Sequence, residues 1–252
     1  MNPGKRQIEV MPDREALMRR AAERFVAAAG RAVAESGRFR VALSGGSTPG
    51  GLYRLLASNE FARRMDWSRI HVFWCDERCV PPDDPASNYR MAREALLDPL
   101  AVPSENIHRI RGEADPSAAA VEYERSLRSF FRAPAGPPPL TAGARFDLIL
   151  LGIGANGHTA SLFPGQAAVF ERERWVAAEY VPAVSMWRVT MTPDLINAAA
   201  EIWFLVSGRE KAATLRRVLH GPYDPGNLPA QIIAPRAGSL VWLLDASQIM
   251  GD

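Results

Sequence analysis

A buried strand that ends in glycines and a histidine constrains this chain more than any other stretch. The apolar run at residues 146–151 is followed by Gly152, Gly154 and Gly157, and then by His158. Such a run is typical of a strand covered on both faces, as in a parallel sheet. Glycines allow a close approach to a ligand, and ligands of open α/β sheets bind beyond the carboxyl ends of the strands. We therefore expect a site here, although a tight turn in which His158 only caps a helix is the structural alternative.

Composition limits the class of protein. The 252 residues are 47% hydrophobic and 23% charged, which is ordinary for a soluble globular protein, and we expect one domain over residues 1–252. A net charge of +2 gives no reason to expect nucleic acid or a membrane surface as a partner. We find no transmembrane run and no signal peptide. Two cysteines, Cys75 and Cys79, offer no disulfide framework and fit the cytoplasm. The sequence leaves open whether the protein is a monomer or a small homo-oligomer.

Hydrophobic periodicity predicts alternating strands and helices. Strands are expected at residues 41–43, 70–74, 146–151, 175–180, 187–191, 202–206 and 240–244. Longer helices are expected at residues 16–34, 88–97 and 115–131, with Ser87 as the cap of the second. Further helices are expected after Pro193, around Lys211, and after residue 47 or 48, where Ser47 or Thr48 would be the cap. The proline-rich stretch 132–145 is interpreted as an exposed loop. This alternation predicts a doubly wound, mostly parallel α/β sheet with helices on both faces.

Four of the predicted strands end in residues suited to a site, and the carboxyl ends of parallel strands share one edge. The candidates are Ser44, Gly45, Gly46, Ser47 and Thr48 after the first strand, Asp76 and Arg78 after the second, 152–158 after the third, and Lys211 after a fourth. The first loop offers N–H groups, hydroxyls and a helix N-terminus to an oxyanion. Arginine and lysine are common partners of phosphate, although both residue types more often lie on a solvated surface.

Two rival functions fit less well. Gly152, Gly154 and Gly157 match GxGxxG, but Pro164 limits the following helix and no acidic residue closes the next strand, so nicotinamide binding is disfavoured. Ser44 approaches the GxSxG motif of serine hydrolases, but that fold needs a late catalytic histidine, and His220 lies in a proline- and glycine-rich loop.

A metal site has even less support in the sequence than these two rival functions. Cys75 and Cys79 have no second cysteine pair, and His71 lies inside a predicted strand. His71 and His108 are interpreted as structural.

Six stretches carry a resemblance to a known family. They are LSGGSTPGGLY (43–53), FWCDERCVP (73–81), SNY (87–89), LGIGANGHTASLFP (151–164), RVTMT (188–192) and SGREKA (207–212). In this order they resemble the 6-phosphogluconolactonase family, within the superfamily that includes the glucosamine-6-phosphate deaminases. Deaminases usually have HIAFNEP in place of HTASLFP and DEY in place of DER, so the lactonase branch is favoured. A deaminase-like isomerase stays the alternative.

The resemblance implies hydrolysis of 6-phospho-D-glucono-1,5-lactone by water, without metal or organic cofactor. His158 would be the general base, oriented by Asn156, where the family usually has aspartate. N–H groups in 152–157 would hold the developing oxyanion. Residues 44–48, Arg78 and Lys211 would bind the phosphate, with Arg188 as a further contact. Asp76 would either bind sugar hydroxyls or tune His158.

Overall fold

The computed structural model describes residues 6–133 and 145–246, and all structural statements refer to these residues. The strands are β1 (Arg6–Met11), β2 (Phe39–Leu43), β3 (Ile70–Trp74), β4 (Asp76–Arg78), β5 (Ile107–His108), β6 (Leu148–Leu151), β7 (Val176–Val181), β8 (Met186–Met191), β9 (Glu201–Val206) and β10 (Ser239–Asp245). The helices are α1 (Arg14–Ser36), α2 (Ser47–Leu56), α3 (Asn59–Ala62), α4 (Asn88–Ala92), α5 (Pro116–Phe131), α6 (Pro193–Ile196) and α7 (Ala212–His220).

Seven strands form the main sheet, in the order β1-β10-β9-β6-β2-β3-β5, and every neighbouring pair is parallel. This confirms the predicted doubly wound α/β class. The chain moves outward from β2 through β3 to β5 and then returns to place β6 on the other side of β2. The strand order therefore reverses between β2 and β6, and ligands of such sheets bind at this reversal.

Helix α1 shows how the sequence covers one face of this sheet. Its apolar residues recur at helical spacing, and Leu17, Ala21 and Phe25 are fully buried. Asp13 caps the first turn by accepting from the N–H of Ala16, and Gly37 ends the helix at φ 74°, a conformation that favours glycine. The prediction for residues 16–34 is confirmed, with two further residues at each end.

A second sheet was not predicted. The predicted strands at 175–180 and 187–191 exist as β7 and β8, but they lie outside the main sheet, where β8 pairs antiparallel with β7 on one side and with β4 on the other. The chain leaves the parallel sheet at Cys75, directly after β3, and enters β4. Local periodicity identifies a strand but not its partner, because pairing is decided by residues far apart in the chain. The Asp76–Arg78 segment is thus carried by this smaller sheet.

Other local predictions differ from the structure in identifiable ways. The edge strand β1 was missed because its six residues, RQIEVM, form no apolar run and its two β-branched residues, Ile8 and Val10, are exposed. The helix predicted over 88–97 is α4 followed by a wider π-helical turn, Arg93–Leu97, with Ser87 as the predicted cap. Helix α5 begins after Asp115, as expected. Most of the predicted loop 132–145 lies outside the described residues. In the described part of the chain, no helix is long and apolar enough to span a membrane.

Candidate active site

A cavity of about 420 Å³ opens at the carboxyl edge of the main sheet, where β2, β3, β6 and β9 end. The residues that line it are Ser44, Gly45, Gly46, Ser47, Thr48, Pro49, Asp76, Arg78, Asn88, Gly152, Ile153, Gly154, His158, Ala160, Phe163, Val184, Arg188, Leu205 and Lys211. The predicted residues 44–48, Asp76, Arg78, His158, Arg188 and Lys211 are all in the wall, whereas Asn156 is outside it and contacts His158. Four separate strand ends meet here because the strands are parallel.

The imidazole of His158 is held in one orientation by Asn156. Asn156 Oδ1 lies 2.6 Å from His158 Nδ1 and 3.2 Å from the backbone nitrogen of His158. Because the backbone N–H can only donate, the atom of Asn156 that faces it is the carbonyl oxygen, and ring Nδ1 must also donate to it. The proton therefore sits on Nδ1, and Nε2 keeps a lone pair.

The imidazole of His158 is packed by residues of its own loop. The ring of Phe163 stacks on His158 with centroids 4.2 Å apart and planes inclined by 12°. Gly154 lies against the ring, since a Cβ at this position would fall 2.1 Å from both Cε1 and Nδ1 of His158. Neither contact was predicted, and glycine at 154 is required by the imidazole itself.

Some N–H groups of the glycine loop already form hydrogen bonds within the loop. Gly154 N–H donates to the carbonyl of His158, and Gly157 N–H donates to the carbonyl of Gly154, each at 2.9 Å. Thr159 Oγ1 donates to the carbonyl of Gly152 at 2.9 Å, which closes the loop onto the end of β6. The prediction that this loop offers N–H groups to an oxyanion is wrong for Gly154 and Gly157, because those groups already have acceptors.

The environment keeps His158 neutral. Burial lowers the pKa of His158 from its usual 6.5 to about 4, and the cations Arg188, Arg78 and Lys211 act in the same direction, against the opposing effect of Asp76. A neutral imidazole with a free Nε2 is the form that can accept a proton. At neutral pH the site therefore holds an imidazole that is able to accept a proton.

Two arginines face each other in the smaller sheet. Arg78 of β4 pairs directly with Arg188 of β8, and the Nε atoms of both are buried without a hydrogen-bond partner in the described structure. Burial lowers the pKa of Arg188, and the neighbouring Arg78 lowers it further. Like charges opposite each other in a sheet are unfavourable. Arg78 donates to the carbonyl of Ala86, which aims its guanidinium. The pair is thus arranged for an anionic ligand between or beside the two guanidinium groups.

The loop after β2 presents an uncapped helix end to the same cavity. Helix α2 begins at Ser47, and no side chain caps it, so the prediction of Ser47 or Thr48 as the cap is wrong. Gly46 takes the cap position at φ 102°, which is a conformation for glycine. The Tyr53 hydroxyl accepts from Ser44 N–H and donates to the Ser44 carbonyl, which fixes the loop. Ser44 Oγ is buried and without a partner in the described structure.

Lys211 approaches the cavity from the end of β9. It ends a single 3₁₀ turn, Arg209–Lys211, and directly precedes α7. Lys211 lies in the cavity wall. The prediction of a helix bearing Lys211 is correct to within one residue.

Three buried polar residues at the start of β4 and α4 organise this side of the site. Glu77 accepts from the backbone N–H groups of Asn88 and Tyr89 and from Ser87 Oγ, which ties α4 to β4. Asn88 Nδ2 donates to Asp76, and its side chain fills the space beside Gly45. Asn88 was missed as a site residue, although the motif Ser-Asn-Tyr that contains it was visible.

The fold and the cavity define an α/β protein of the doubly wound type with its pocket at the switch point of a parallel sheet. The chain belongs to the glucosamine-6-phosphate isomerase/6-phosphogluconolactonase family, whose model matches residues 12–242. A 6-phosphogluconolactonase of Nostoc sp. is 40% identical over 244 residues, covering 96% of this chain and 97% of that protein. One of Mycobacterium tuberculosis is 39% identical, covering 94% and 95%.

Solved structures agree with the fold. A 6-phosphogluconolactonase from Trypanosoma cruzi superposes with a TM-score of 0.84 at 27% identity, covering 98% of this chain and 96% of that chain. A monomeric glucosamine-6-phosphate deaminase has a TM-score of 0.78 at 23% identity, covering 96% and 98%. At that identity the second likeness concerns the fold alone.

Proposed function

We propose that this protein hydrolyses 6-phospho-D-glucono-1,5-lactone to 6-phosphogluconate. Its relatives at about 40% identity over nearly the whole chain are 6-phosphogluconolactonases, which supports the reaction. The observation that carries the proposal is the pairing, in one cavity, of a neutral histidine with a free Nε2 and two arginines whose Nε atoms have no hydrogen-bond partner among the described residues. A lactone that carries a phosphate needs both a base to activate water and cations to bind the phosphate.

The phosphate is bound by cations and by donors around α2. Arg78, Arg188 and Lys211 supply charge, and a guanidinium offers paired donors to phosphate oxygens. The loop 44–48, with its glycines, hydroxyls and free helix end, supplies further donors. Binding the remote phosphate in this way places C1 of the lactone close to the base, and such positioning contributes to the rate.

The chemical step needs one water and one base. His158 Nε2 takes a proton from water as the oxygen attacks C1, which gives a tetrahedral oxyanion and an imidazolium. As the bond between C1 and the ring oxygen breaks, the imidazolium returns its proton to that oxygen, which becomes the C5 hydroxyl. Asn156 keeps Nδ1 protonated throughout and so holds the tautomer that the step requires. A positioned base of this kind is worth about 10²–10⁴-fold in rate.

A serine hydrolase mechanism through Ser44 is disfavoured by geometry. Ser44 Oγ has no hydrogen-bond partner in the described structure, whereas an activated serine is hydrogen-bonded to its base. A fluorophosphonate probe followed by intact mass should therefore leave Ser44 unmodified. A stoichiometric adduct on Ser44 that abolishes activity would support the serine mechanism instead.

We also propose one domain over residues 1–252 and a reducing compartment such as the cytoplasm, without nucleic acid or membrane as a partner. Both cysteines, Cys75 and Cys79, are free thiols, and the net charge is small. The protein would act as a monomer or a small homo-oligomer.

The test compares two substrates. Freshly generated 6-phosphogluconolactone is followed by NADP-dependent oxidation of its product, with spontaneous decay subtracted, and glucosamine 6-phosphate is followed by release of ammonia. We expect fast lactone hydrolysis and no ammonia. Release of ammonia together with lactone decay at the buffer rate would assign the protein to the deaminase branch.

A further inference from the structure

The proposed base, His158, becomes a cation in a cavity that already holds other cations. As His158 takes the proton from water it turns into an imidazolium, and Arg78, Arg188 and Lys211 line the same cavity. Asn156, which orients the ring, supplies an amide oxygen but no charge. The imidazolium would be a fourth positive group in this cavity, and a carboxylate close to the ring would stabilise it in the transition state.

Asp76 is the one carboxylate that lines this cavity in the part of the chain that the structure describes. It is 5% exposed, and in the described structure two uncharged donors hold its oxygens without a salt bridge to a cation. Ser161 Oγ donates to Oδ2 at 2.6 Å, and Asn88 Nδ2 approaches Oδ1 at 3.3 Å. Neutral donors satisfy its oxygens without neutralising the carboxylate, so its charge acts on the groups around it, Arg188 and His158 among them.

The bond from Ser161 ties Asp76 to the loop that carries His158. Ser161 lies three residues after His158, and its backbone N–H donates to Thr190 Oγ1 at 3.2 Å. Thr190 in turn is the residue directly opposite Asp76 in the pairing of β8 with β4. The carboxylate and the histidine loop are therefore locked to each other by a buried network, not merely placed in the same cavity.

We propose that Asp76 supplies the negative charge that stabilises the imidazolium of His158 during hydrolysis, a task that Asn156 cannot perform. Asp76 is thus a positioning residue that acts through His158, and Ser161 holds it in place. The inference deepens the proposed function and rests on it. In agreement, Asp76 raises the pKa of His158 against the larger effect of burial and against the three cations.

The test is a double-mutant cycle of Asp76→Asn and Asn156→Asp, read in two ways. The first readout is the titration of the His158 imidazole by NMR with ¹³C-labelled histidine, assigned with His158→Ala, which requires no turnover. The second is kcat/KM for the lactone against pH, with spontaneous decay subtracted at each point. Wild-type protein should titrate near pH 4.

The cycle has a specific expected pattern. Asp76→Asn should move the His158 titration and the acid limb down by about one pH unit and lower kcat about 10- to 100-fold. Asn156→Asp should move both up by a similar amount, because a nearby carboxylate favours the imidazolium. The double variant should titrate close to wild type and recover most of the lost kcat, because the charge has been moved and not removed.

Other outcomes would overturn the proposal. An unmoved titration in Asp76→Asn, with a raised KM, would make Asp76 a ligand of the sugar hydroxyls. A loss of kcat that Asn156→Asp does not restore would make its role purely structural. If Asp76→Asn does not fold, Asp76→Glu is the second variant. It keeps the negative charge, so the His158 imidazole should titrate as in wild-type protein. A shift of that titration as large as the one expected for Asp76→Asn would contradict the inference. Shifts in the NMR titration without any lactone hydrolysis would reject the proposed function while retaining the charge coupling.

Discussion

At the scale of single residues, His158 depends on three neighbours of different kinds. Asn156 fixes its tautomer, Phe163 stacks on the ring, and Gly154 leaves the space that the ring edge at Cε1 and Nδ1 occupies. His158 and Asn156 were predictable because the motif places them two residues apart after a strand. The packing of Phe163 and Gly154 was not, because a glycine in a loop has many reasons to be there, and only the folded loop shows which one applies.

The requirement at position 154 leads to a prediction. Gly154→Ala places a methyl group where the imidazole lies, so the ring must move or rotate. We expect kcat to fall at least 10-fold with little change in the thermal midpoint, since a small misplacement of a catalytic group is costly. Gly152→Ala is the matched control for ring position, because a Cβ there meets no atom within 4 Å. Unchanged His158 imidazole NMR signals in Gly154→Ala would contradict the contact.

At the scale of elements, the pairing of β4 with β8 brings Arg78 and Arg188 together. Each arginine was predicted from its motif, but their direct opposition was not, since it requires the register of an antiparallel pair that joins residues more than a hundred positions apart. The pairing joins two separate candidates into one proposed anion site. It also implies that the site is kept at some expense of stability.

The loss of stability caused by two opposed arginines can be measured with Arg188→Met. Removing one of two opposed charges should raise the free energy of unfolding by about 0.5–1 kcal/mol while raising KM for the phosphorylated lactone. The measurement is thermal or chemical denaturation with and without 6-phosphogluconate. The product should stabilise wild-type protein more than the variant. A variant that is less stable than wild type without ligand would show that Arg188 supports the fold.

The turn before α7 provides a second element-level prediction. Lys211→Ala should raise KM for the phosphorylated lactone about 10- to 150-fold, because a charge-assisted bond to phosphate is worth about 1.5–3 kcal/mol. KM for unphosphorylated gluconolactone should hardly change. Arg209→Ala, an exposed cation two residues earlier that lies outside the cavity wall, is the matched control. Equal losses on both substrates would remove Lys211 from the phosphate site.

At the scale of the whole molecule, the alternation of strands and helices was enough to predict the parallel sheet and the edge at which the site forms. Helices and strands with strong periodicity, such as α1, β3 and α5, were predicted closely. The small antiparallel sheet and the edge strand β1 were not, because pairing partners and polar edges leave no local pattern. The sheet order matters for function, since it brings the ends of β2, β3, β6 and β9 to one cavity.

The most direct measurement of the central claim is the rate of 6-phosphogluconolactone hydrolysis by wild-type protein and by His158→Ala, with spontaneous decay subtracted and the fold of both checked by circular dichroism. If His158 is the base in a lactonase, wild-type protein removes the lactone far faster than buffer and His158→Ala loses at least 10²-fold of that activity. Folded His158→Ala that retains the wild-type rate would contradict the account.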